Sequence, residues 1–396
     1  MTPDRKPVVG VLGAGAMGSG IAQVAATHGH TVVLGDAQAA ACEAAHDRIA
    51  RSLTREVEKK RLTRAVADVT LERLNMVHLP SAASCDAFAG CDLVIEAIVE
   101  QLDAKRIAFQ ALERVVQRDC VLASNTSSLS IAAIAAACQY PERSLGIHFF
   151  NPATVMPLVE IVPGIQTDSA RLTWSRGIID SWGKTTVLAL DTPGFIVNRV
   201  ARPYYAEALR ILDEGLASTS DIDWAMTTLG GFRMGPFELM DFIGHDVNYV
   251  VTESVWTALY YDPRFKPSLT QRRLLDAGLL GKKSGRGFYN YAAGAERPKA
   301  REDATLGSAI VNRILAMLIN EAVDAVYLRV TTAADLEIAM TRGVNYPKGL
   351  LAWGEEIGYA NVLAEIDRLY DEYHEDRYRA SPLLRSLVRE NRSLLR

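Results

Sequence analysis

Residues 8–20 read VVGVLGAGAMGSG, so that a short apolar run leads directly into a Gly-X-Gly-X-X-Gly turn. Residues 19–26 continue with the apolar spacing of a helix, and a second apolar run, 30–34, is followed by Gly35 and Asp36. Strand, glycine turn, helix and strand in this order predict a dinucleotide-binding βαβ unit, whose helix N-terminus faces the pyrophosphate. The predicted cofactor contacts in this unit are Gly13, Gly15, Ala16, Met17, Gly18 and Asp36.

Asp36 also predicts which dinucleotide is bound. At the end of the second strand its carboxylate can accept hydrogen bonds from a ribose 2′-OH, as in proteins that bind NAD. The same charge repels the 2′-phosphate of NADP, and no arginine follows it immediately. The sequence therefore predicts NAD as the cofactor.

Apolar strand patterns recur along the first half of the chain. The runs 92–97 and 121–125 predict two further strands, and the second leads into a polar turn, 126–128. The carboxyl ends of parallel strands form the ligand-binding edge of such a sheet, so Ala97, Asn125 and Ser127 are predicted cofactor contacts. Repeated strand and helix units indicate that residues 1–190 form one α/β, doubly wound NAD-binding domain.

Composition excludes several classes of function. The chain has 396 residues, 49% hydrophobic and 23% charged, as in ordinary soluble globular proteins. A net charge of −4 gives no basic footprint for nucleic acid, and no uninterrupted apolar run approaches the ~18 residues of a membrane span. The N-terminus leaves no room for a signal peptide, and the five cysteines show no metal-binding spacing. We therefore expect a cytoplasmic protein with reduced thiols and no metal, whose partners include neither nucleic acid nor a membrane.

A helical arm, residues 38–74, interrupts the alternation of strands and helices. Ser52 and Lys59 lie seven residues apart, so they share one face of the first predicted helix. On residue type alone, the simpler interpretation is a solvated basic face. The alternative is a binding surface for an anionic, phosphate-bearing substrate.

Strand patterns mostly stop at a breaker, 191–194, and the rest of the chain is predicted to be helical. The prediction divides it into a helical substrate domain, 191–291, a linker, 292–307, and a second helical domain, 308–396. The fold class is thus α/β plus all-α, a Rossmann-type sheet followed by two tandem helical domains.

The second helical domain repeats the first with an offset of 114 residues. Asn198-Arg199 corresponds to Asn312-Arg313, and Glu207-Ala208 corresponds to Glu321-Ala322, with no gap between. We expect the two copies to pack on each other within one chain.

His148 and Glu160 are candidates for acid–base chemistry. They lie twelve residues apart, on two predicted strands that can be neighbours. A carboxylate can orient a histidine and make it more basic, and beside a nicotinamide such a pair could remove a hydroxyl proton. A buried ion pair with a structural role is equally compatible with the spacing. Ser127 and Asn198 could hydrogen-bond a substrate oxygen, although each could also be a turn or cap residue.

With these motifs the sequence resembles the L-3-hydroxyacyl-CoA dehydrogenase family, in particular its 3-hydroxybutyryl-CoA type. The resemblance extends from residue 8 to about residue 291. Besides the glycine turn, its motifs are 96–100 (EAIVE), 124–129 (SNTSSL), 148–152 (HFFNP), 193–199 (PGFIVNR) and 281–289 (GKKSGRGFY). The second helical domain is absent from short members and is similar to the tandem domains of the bifunctional and phenylacetate-pathway branches.

The resemblance implies NAD-dependent oxidation of the 3-hydroxyl of a (3S)-3-hydroxyacyl-CoA to a 3-oxoacyl-CoA, in fatty-acid, phenylacetate-type or butanoate metabolism. It implies that His148 is the catalytic base, paired with Glu160, and that Ser127 and Asn198 assist at the substrate oxygen. The further NAD contacts that it implies are Glu100, Lys105, Asn151 and Lys283.

The resemblance also implies where the acyl-CoA partner binds. It places coenzyme A at Ser52 and Lys59, which replaces the interpretation of a solvated face. Because the second helical copy would stand in for a second subunit, the dimer of the short members is not required.

Two alternatives remain. An NAD-linked dehydrogenase of a free hydroxy acid or sugar acid would need no coenzyme A and would be indifferent to Ser52 and Lys59. A non-catalytic, crystallin-like NAD-binding protein would bind NAD without turnover, and the intact pair of His148 and Glu160 argues against it.

Overall fold

Eight strands in the first half of the chain form one sheet. The computed structural model describes residues 5–81 and 84–395. The strands are β1 (Val9–Leu12), β2 (Val32–Asp36), β3 (Leu74–His78), β4 (Leu93–Glu96), β5 (Val121–Ser124), β6 (Ser144–Phe149), β7 (Leu158–Pro163) and β8 (Thr185–Leu188). Their order is β3-β2-β1-β4-β5-β6-β7-β8, parallel except that β7 runs antiparallel to β6. The predicted doubly wound α/β fold is confirmed.

Alternate residues of the central strands enter two separate cores, one on each face of the sheet. In β1, Val9 and Val11 belong to one core and Leu12 to the other. All residues of β1, β4 and β5 are buried, as expected of a parallel sheet that helices cover on both faces. This packing fixes the carboxyl ends of the strands, where the predicted ligand contacts lie.

Six α-helices accompany the sheet within the described residues. They are α1 (Ala16–Thr27), α2 (Ala39–Glu58), α3 (Arg64–Glu72), α4 (Leu102–Val115), α5 (Ile131–Ala135) and α6 (Ser169–Ser181). α2 and α3 form the predicted arm, but it ends at Glu72 rather than at residue 74. β3 follows, a strand that the apolar pattern of the sequence did not predict. β3 lies at the edge of the sheet, and polar Asn75 and His78 interrupt the apolar pattern that would signal a strand.

The chain divides into two units, Met1–Thr192 and Pro193–Arg396. The helices of the second unit are α7 (Val197–Val200), α8 (Arg202–Asp213), α9 (Thr219–Trp224), α10 (Pro236–Ile243), α11 (His245–Ala258), α12 (Leu269–Asp276), α13 (Ala304–Tyr327), α14 (Ala333–Gly343), α15 (Leu350–Ile357), α16 (Tyr359–Tyr373) and α17 (Pro382–Glu390). α13 begins before the predicted end of the linker at residue 307, because Asp303 caps its N-terminus.

The second unit contains two copies of one helical pattern, copy 1 (193–291) and copy 2 (304–395). At the offset of 114 residues, α8 to α12 correspond in order to parts or all of α13 to α17. The repeat therefore extends beyond the stretch in which the sequence shows identical residues. Both copies belong to the same compact unit.

Reciprocal ion pairs join the copies. Arg199 of copy 1 pairs with Glu321 of copy 2 at 2.8 Å, and Arg313 of copy 2 pairs with Glu207 of copy 1 at 2.6 Å. The offset relates the two arginines to each other and the two glutamates to each other. One contact is thus made twice about a pseudo-two-fold axis, so the copies pack like the halves of a symmetric dimer.

Helix α13 forms the core of this unit. It is the one helix in the described part of the chain that is long and apolar enough, by length and composition, to cross a membrane, although no uninterrupted apolar run signals it. Its most apolar window is 78% buried inside the structure, as expected of a core helix.

Phe232 and Tyr346, which are equivalent in the repeat, also meet between the copies, with ring centroids 5.0 Å apart.

Candidate active site

His148 and Glu160 face each other across two strands. The antiparallel register of β6 and β7 pairs these residues directly, which places both side chains on the same face of the sheet. Nδ1 of His148 lies 2.6 Å from Oε2 of Glu160, and both side chains are buried. Because the carboxylate accepts the proton carried by Nδ1, the basic lone pair of the neutral imidazole lies on Nε2.

Backbone and side-chain contacts fix the strand edge around His148. Asn125 donates its N–H to the carbonyl of Glu96, and its Oδ1 accepts the N–H of Phe149 at 2.8 Å. The ring of Phe150 packs on the imidazole, with centroids 4.6 Å apart. Asn125 thus links the ends of three strands.

The glycine turn after β1 fits a dinucleotide. Gly13 has φ +106°, and a Cβ there would lie 2.6 Å from the carbonyl oxygen of Ala97. A Cβ at Gly18 would collide with the Gly13 carbonyl. At Gly15, by contrast, a Cβ would meet nothing within 4 Å, so this backbone faces open space before α1. Packing requires two of the glycines, and the third leaves a cradle that a pyrophosphate can enter.

A cavity of about 450 Å³ adjoins this turn. Its walls include Gly13, Gly15, Asp36, Leu79, Ala97 and Ile107. The Asp36 carboxylate accepts the N–H of Ala14 at 2.7 Å and of Gln38 at 2.9 Å. It thereby holds the turn in place, and it lies in the wall of the cavity where a ribose would bind. Ala16 and Met17 begin α1 beside it.

A buried ionic network supports the polar turn after β5. Lys105 is 1% exposed, and its ammonium lies 2.6 Å from Glu96 and 3.2 Å from Glu100. Glu100 also accepts hydrogen bonds from the Thr126 hydroxyl and the Ser127 N–H. Burial alone would raise the pKa of Glu100, but Lys105 and these hydrogen bonds outweigh it and hold the pKa below its ordinary value. Glu100 is therefore a fixed anion at the ligand-binding edge.

Glu96 and Thr126 belong to this network, although neither was predicted from the sequence as a site residue. The signal for Glu96 was a carboxylate at the end of an otherwise apolar strand, since a buried charge requires a partner. Direct contact of Lys105 with NAD stays a prediction. In the structure its ammonium binds two carboxylates, which gives it a supporting place beneath the turn.

The other predicted contacts in the first unit are accessible. Asn151 is exposed after β6, Ser52 is half-buried on α2, and Lys59 is exposed at the C-cap of that helix. In the second unit Asn198 is half-buried in α7, and Lys283 forms an exposed ion pair with Asp246. These five assignments stay predictions.

The cysteines form no disulfide in the structure. All five are reduced thiols, and burial raises the pKa of Cys85 to about 11 and of Cys91 to about 12. Throughout residues 5–81 and 84–395, no cluster of His, Cys, Asp and Glu side chains could hold a metal ion.

Two family models match the chain. The model of the 3-hydroxyacyl-CoA dehydrogenase NAD binding domain matches residues 8–192. The model of the 3-hydroxyacyl-CoA dehydrogenase C-terminal domain matches twice, at residues 194–291 and 310–394. The double match coincides with copy 1 and copy 2.

Individual proteins are similar over most or all of the chain. The 3-hydroxyadipyl-CoA dehydrogenase of Escherichia coli (strain K12) is 39% identical, over 95% of this chain and 96% of that protein. The 3-hydroxybutyryl-CoA dehydrogenase of Bradyrhizobium diazoefficiens is 41% identical, over 72% of this chain and 94% of that protein. A crystal structure of 3-hydroxybutyryl-CoA dehydrogenase from Escherichia coli K12 matches with a TM-score of 0.90 at 37% identity, covering 98% of this chain and 99% of that one.

Proposed function

Because the chain belongs to the 3-hydroxyacyl-CoA dehydrogenase family, we propose that it oxidises the 3-hydroxyl of a (3S)-3-hydroxyacyl-CoA to a 3-oxo group with NAD, and catalyses the reverse reaction. The contact between His148 and Glu160 carries this proposal. A base for the substrate hydroxyl is what a dehydrogenase needs beyond a dinucleotide site.

His148 is the base in this proposal. Its Nε2 lone pair takes the proton of the C3 hydroxyl, and the Glu160 carboxylate stabilises the imidazolium through Nδ1. Both side chains are buried, so water screens their interaction little. Ser127 and Asn198 are proposed to hydrogen-bond the substrate oxygen and hold it at the base.

The nicotinamide of NAD, when bound, supplies the hydride acceptor. We assign the pyrophosphate to the glycine turn, residues 13–18, and the adenosine ribose to Asp36, which lines the adjoining cavity. The further proposed NAD contacts are Ala97, Glu100, Lys105, Asn125, Ser127, Asn151 and Lys283.

Coenzyme A is assigned to Ser52 and Lys59 on the helical arm. An exposed lysine can neutralise a phosphate of the coenzyme without taking part in the reaction. A cytoplasmic location is part of the proposal, and the five reduced cysteines support it. The relatives' names include both butyryl and adipyl substrates, so the family alone leaves the acyl group undecided.

The proposal is tested by following NADH oxidation with a panel of 3-oxoacyl-CoA thioesters, including a dicarboxyl one. Glu160→Gln should lower kcat by about 10²–10⁴-fold while substrate affinity and melting temperature stay close to wild type, because the imidazolium loses its counter-charge. His148→Ala should be at least as severe. A Glu160→Gln enzyme with wild-type kcat would show that the pair is structural.

The same assay separates the alternatives. Turnover of free 3-oxo acids without coenzyme A would indicate a dehydrogenase of free hydroxy acids. Binding of NADH without turnover of any substrate would indicate a non-catalytic protein. A higher kcat/KM with NADPH than with NADH would contradict the role of Asp36.

A further inference from the structure

Arg202 is a buried cation without a carboxylate partner. It is 5% exposed at the start of α8, and none of the ion pairs in the described part of the chain includes it. Its Nη1 donates to Oγ1 of Thr252 at 3.0 Å and to the carbonyl of Asn248 at 3.5 Å, while Nε has no partner. The guanidinium lies 4.9 Å from the centroid of the Tyr205 ring. Burial lowers the pKa of Arg202, and no carboxylate offsets this effect.

Three other arginines of this unit, two of them buried and one half-buried, are neutralised by carboxylates. Arg199, Arg264 and Arg313 lie 2.8, 2.6 and 2.6 Å from a carboxylate oxygen. Burial of a charge is costly unless a partner compensates the lost hydration. Arginines that pack between the copies therefore have carboxylate partners. Arg202 has none, and packing does not explain this exception.

Copy 2 shows that the helical framework needs no cation at this position. At the offset of 114 residues, Arg202 corresponds to Ala316, and its neighbour Asn248 corresponds to Val362. At these two positions the equivalent helices of copy 2, α13 and α16, carry apolar side chains. The polar group belongs to copy 1 alone, so a ligand is a better explanation for it than packing.

The corresponding face of copy 2 lines a cavity of about 460 Å³. Asn312, Ala316 and Val362 are among the residues that line it. Their equivalents in copy 1 include Asn198 in α7, assigned above to the substrate oxygen, and Arg202, four residues further along at the start of α8. In copy 2, therefore, the face equivalent to the one that carries Arg202 borders a cavity.

Copy 2 contributes a second hydrogen-bond donor. The hydroxyl of Tyr346 is buried and has no partner. Its ring lies 5.9 Å from that of Tyr204, which lies 5.7 Å from the Tyr205 ring that Arg202 contacts, so Tyr346 and Arg202 belong to one buried cluster. Burial raises the pKa of Tyr346, and the nearby charge of Arg202 acts in the opposite direction. The equivalent of Tyr346 in copy 1 is Phe232, which has no hydroxyl. The two copies have thus diverged so that one supplies an arginine and the other a tyrosine.

We propose that Arg202 and Tyr346 bind the terminal carboxylate of a dicarboxyl 3-hydroxyacyl-CoA, an inference that rests on the dehydrogenase function proposed above. In a six-carbon chain this carboxylate carbon lies only three bonds beyond C3, and Arg202 lies only four residues beyond Asn198, the residue assigned to the C3 oxygen. A carboxylate supplies the missing counter-charge and accepts hydrogen bonds from the guanidinium and the hydroxyl. A methyl-ended chain leaves both donors unsatisfied.

The test compares 3-oxoadipyl-CoA with 3-oxohexanoyl-CoA, which has the same chain length but no carboxylate. Wild type should have the higher kcat/KM for the adipyl thioester. Arg202→Met should lower the adipyl-to-hexanoyl ratio of kcat/KM by about 10- to 100-fold, because a charge-assisted hydrogen bond is lost, and Tyr346→Phe by about 2- to 10-fold. Arg233→Met, which removes an exposed arginine of the same unit, is the matched control and should leave the ratio unchanged.

Melting temperatures measured without substrate identify variants that fail to fold. If Arg202→Met does not fold, Arg202→Lys keeps the charge without the planar fork and should still lower the ratio, as should Tyr346→Phe. A wild-type ratio in folded variants at both positions overturns the carboxylate site and leaves the dehydrogenase function intact. Absence of turnover with either thioester in wild type overturns the proposed function, and the carboxylate site with it.

Discussion

Copy 1 and copy 2 of the helical unit keep the same framework residues and differ in the residues that can meet a ligand. Asp223 in copy 1 and Glu337 in copy 2 both accept backbone N–H groups at the start of the next helix. Ser218 and Thr332 both cap an equivalent helix, α9 or α14. These pairs serve helix geometry, which both copies need.

The difference appears on the face that carries Asn198 in copy 1. There Arg202 stands where copy 2 has Ala316, and polar Asn248 stands where copy 2 has an apolar residue. Packing alone would favour the apolar choice in both copies, because a buried unpaired charge is costly. The residues that both copies need for folding are thus distinct from those that the proposed carboxylate site needs.

The largest effect should follow from separating the copies. A chain that ends at Tyr291 loses copy 2 and exposes the face that held α13. Arg199 and Glu207 would then lie on an open surface. In the full chain their partners are Glu321 and Arg313, which are the copy 2 equivalents of Glu207 and Arg199. Such a surface is self-complementary, so we expect light scattering to detect dimers or aggregates of the truncated chain. In the full chain, copy 2 covers this face.

The control for this truncation is the full chain at the same concentration, because its association through other surfaces would be unaffected. A truncated protein that remains monomeric and as stable as the full chain would show that the exposed face needs no partner.

The reciprocal ion pairs should differ in strength although they are equivalent in position. Arg313→Met leaves Glu207 without an ion-pair partner and also removes one of the two arginines that pair with Glu214. Breaking a buried pair costs about 3–5 kcal/mol. Arg199→Met leaves Glu321 paired with Arg264 at 3.3 Å, so its cost should be smaller. Urea denaturation of both variants measures the difference. Equal losses would mean that Arg264 does not compensate.

The equivalent asparagines should differ in activity. Asn198→Ala removes a proposed donor to the substrate oxygen and should lower kcat by about 10²–10³-fold, as for other single donors of this kind. Asn312→Ala, the matched change in copy 2, should leave kcat and KM unchanged, because copy 2 is proposed to have no active site. A loss of activity in both variants would indicate a structural role for this position, and a loss in Asn312→Ala alone would reverse the assignment of the copies.

Much of the active site was predictable because its motifs are local. The glycine turn, Asp36 and the strand ends are short stretches whose spacing specifies a strand, a turn or a helix N-terminus. The contact of His148 with Glu160 was only a possibility, because spacing does not reveal whether two strands are neighbours or in which register they pair. The edge strand β3 was missed, since a half-exposed strand needs no continuous apolar run.

Arg202 illustrates what the sequence contains but does not display. An arginine at the start of a helix is ordinarily exposed, and its burial depends on α11, which follows more than forty residues later. The repeat in the sequence aligns Arg202 with Ala316. At this position copy 1 therefore has a charged residue and copy 2 an apolar one. Divergence within a repeat is therefore a signal that composition and periodicity do not provide.

The smallest effect should come from the helix caps, where the copies are expected to behave alike. Ser218 and Thr332 are both exposed, and the hydroxyl of each accepts an N–H in the first turn of its helix. Replacing either with alanine should cost about 1 kcal/mol, since one N–H loses its partner. In a unit of this size that corresponds to a decrease in melting temperature of about 2–4 °C. Because both caps belong to one compact unit, Ser218→Ala and Thr332→Ala should shift the same melting transition by similar amounts, with kcat unaffected. If one cap variant shifted a separate melting transition, the two copies would unfold independently. That result would contradict the single shared framework that the ion pairs between the copies indicate.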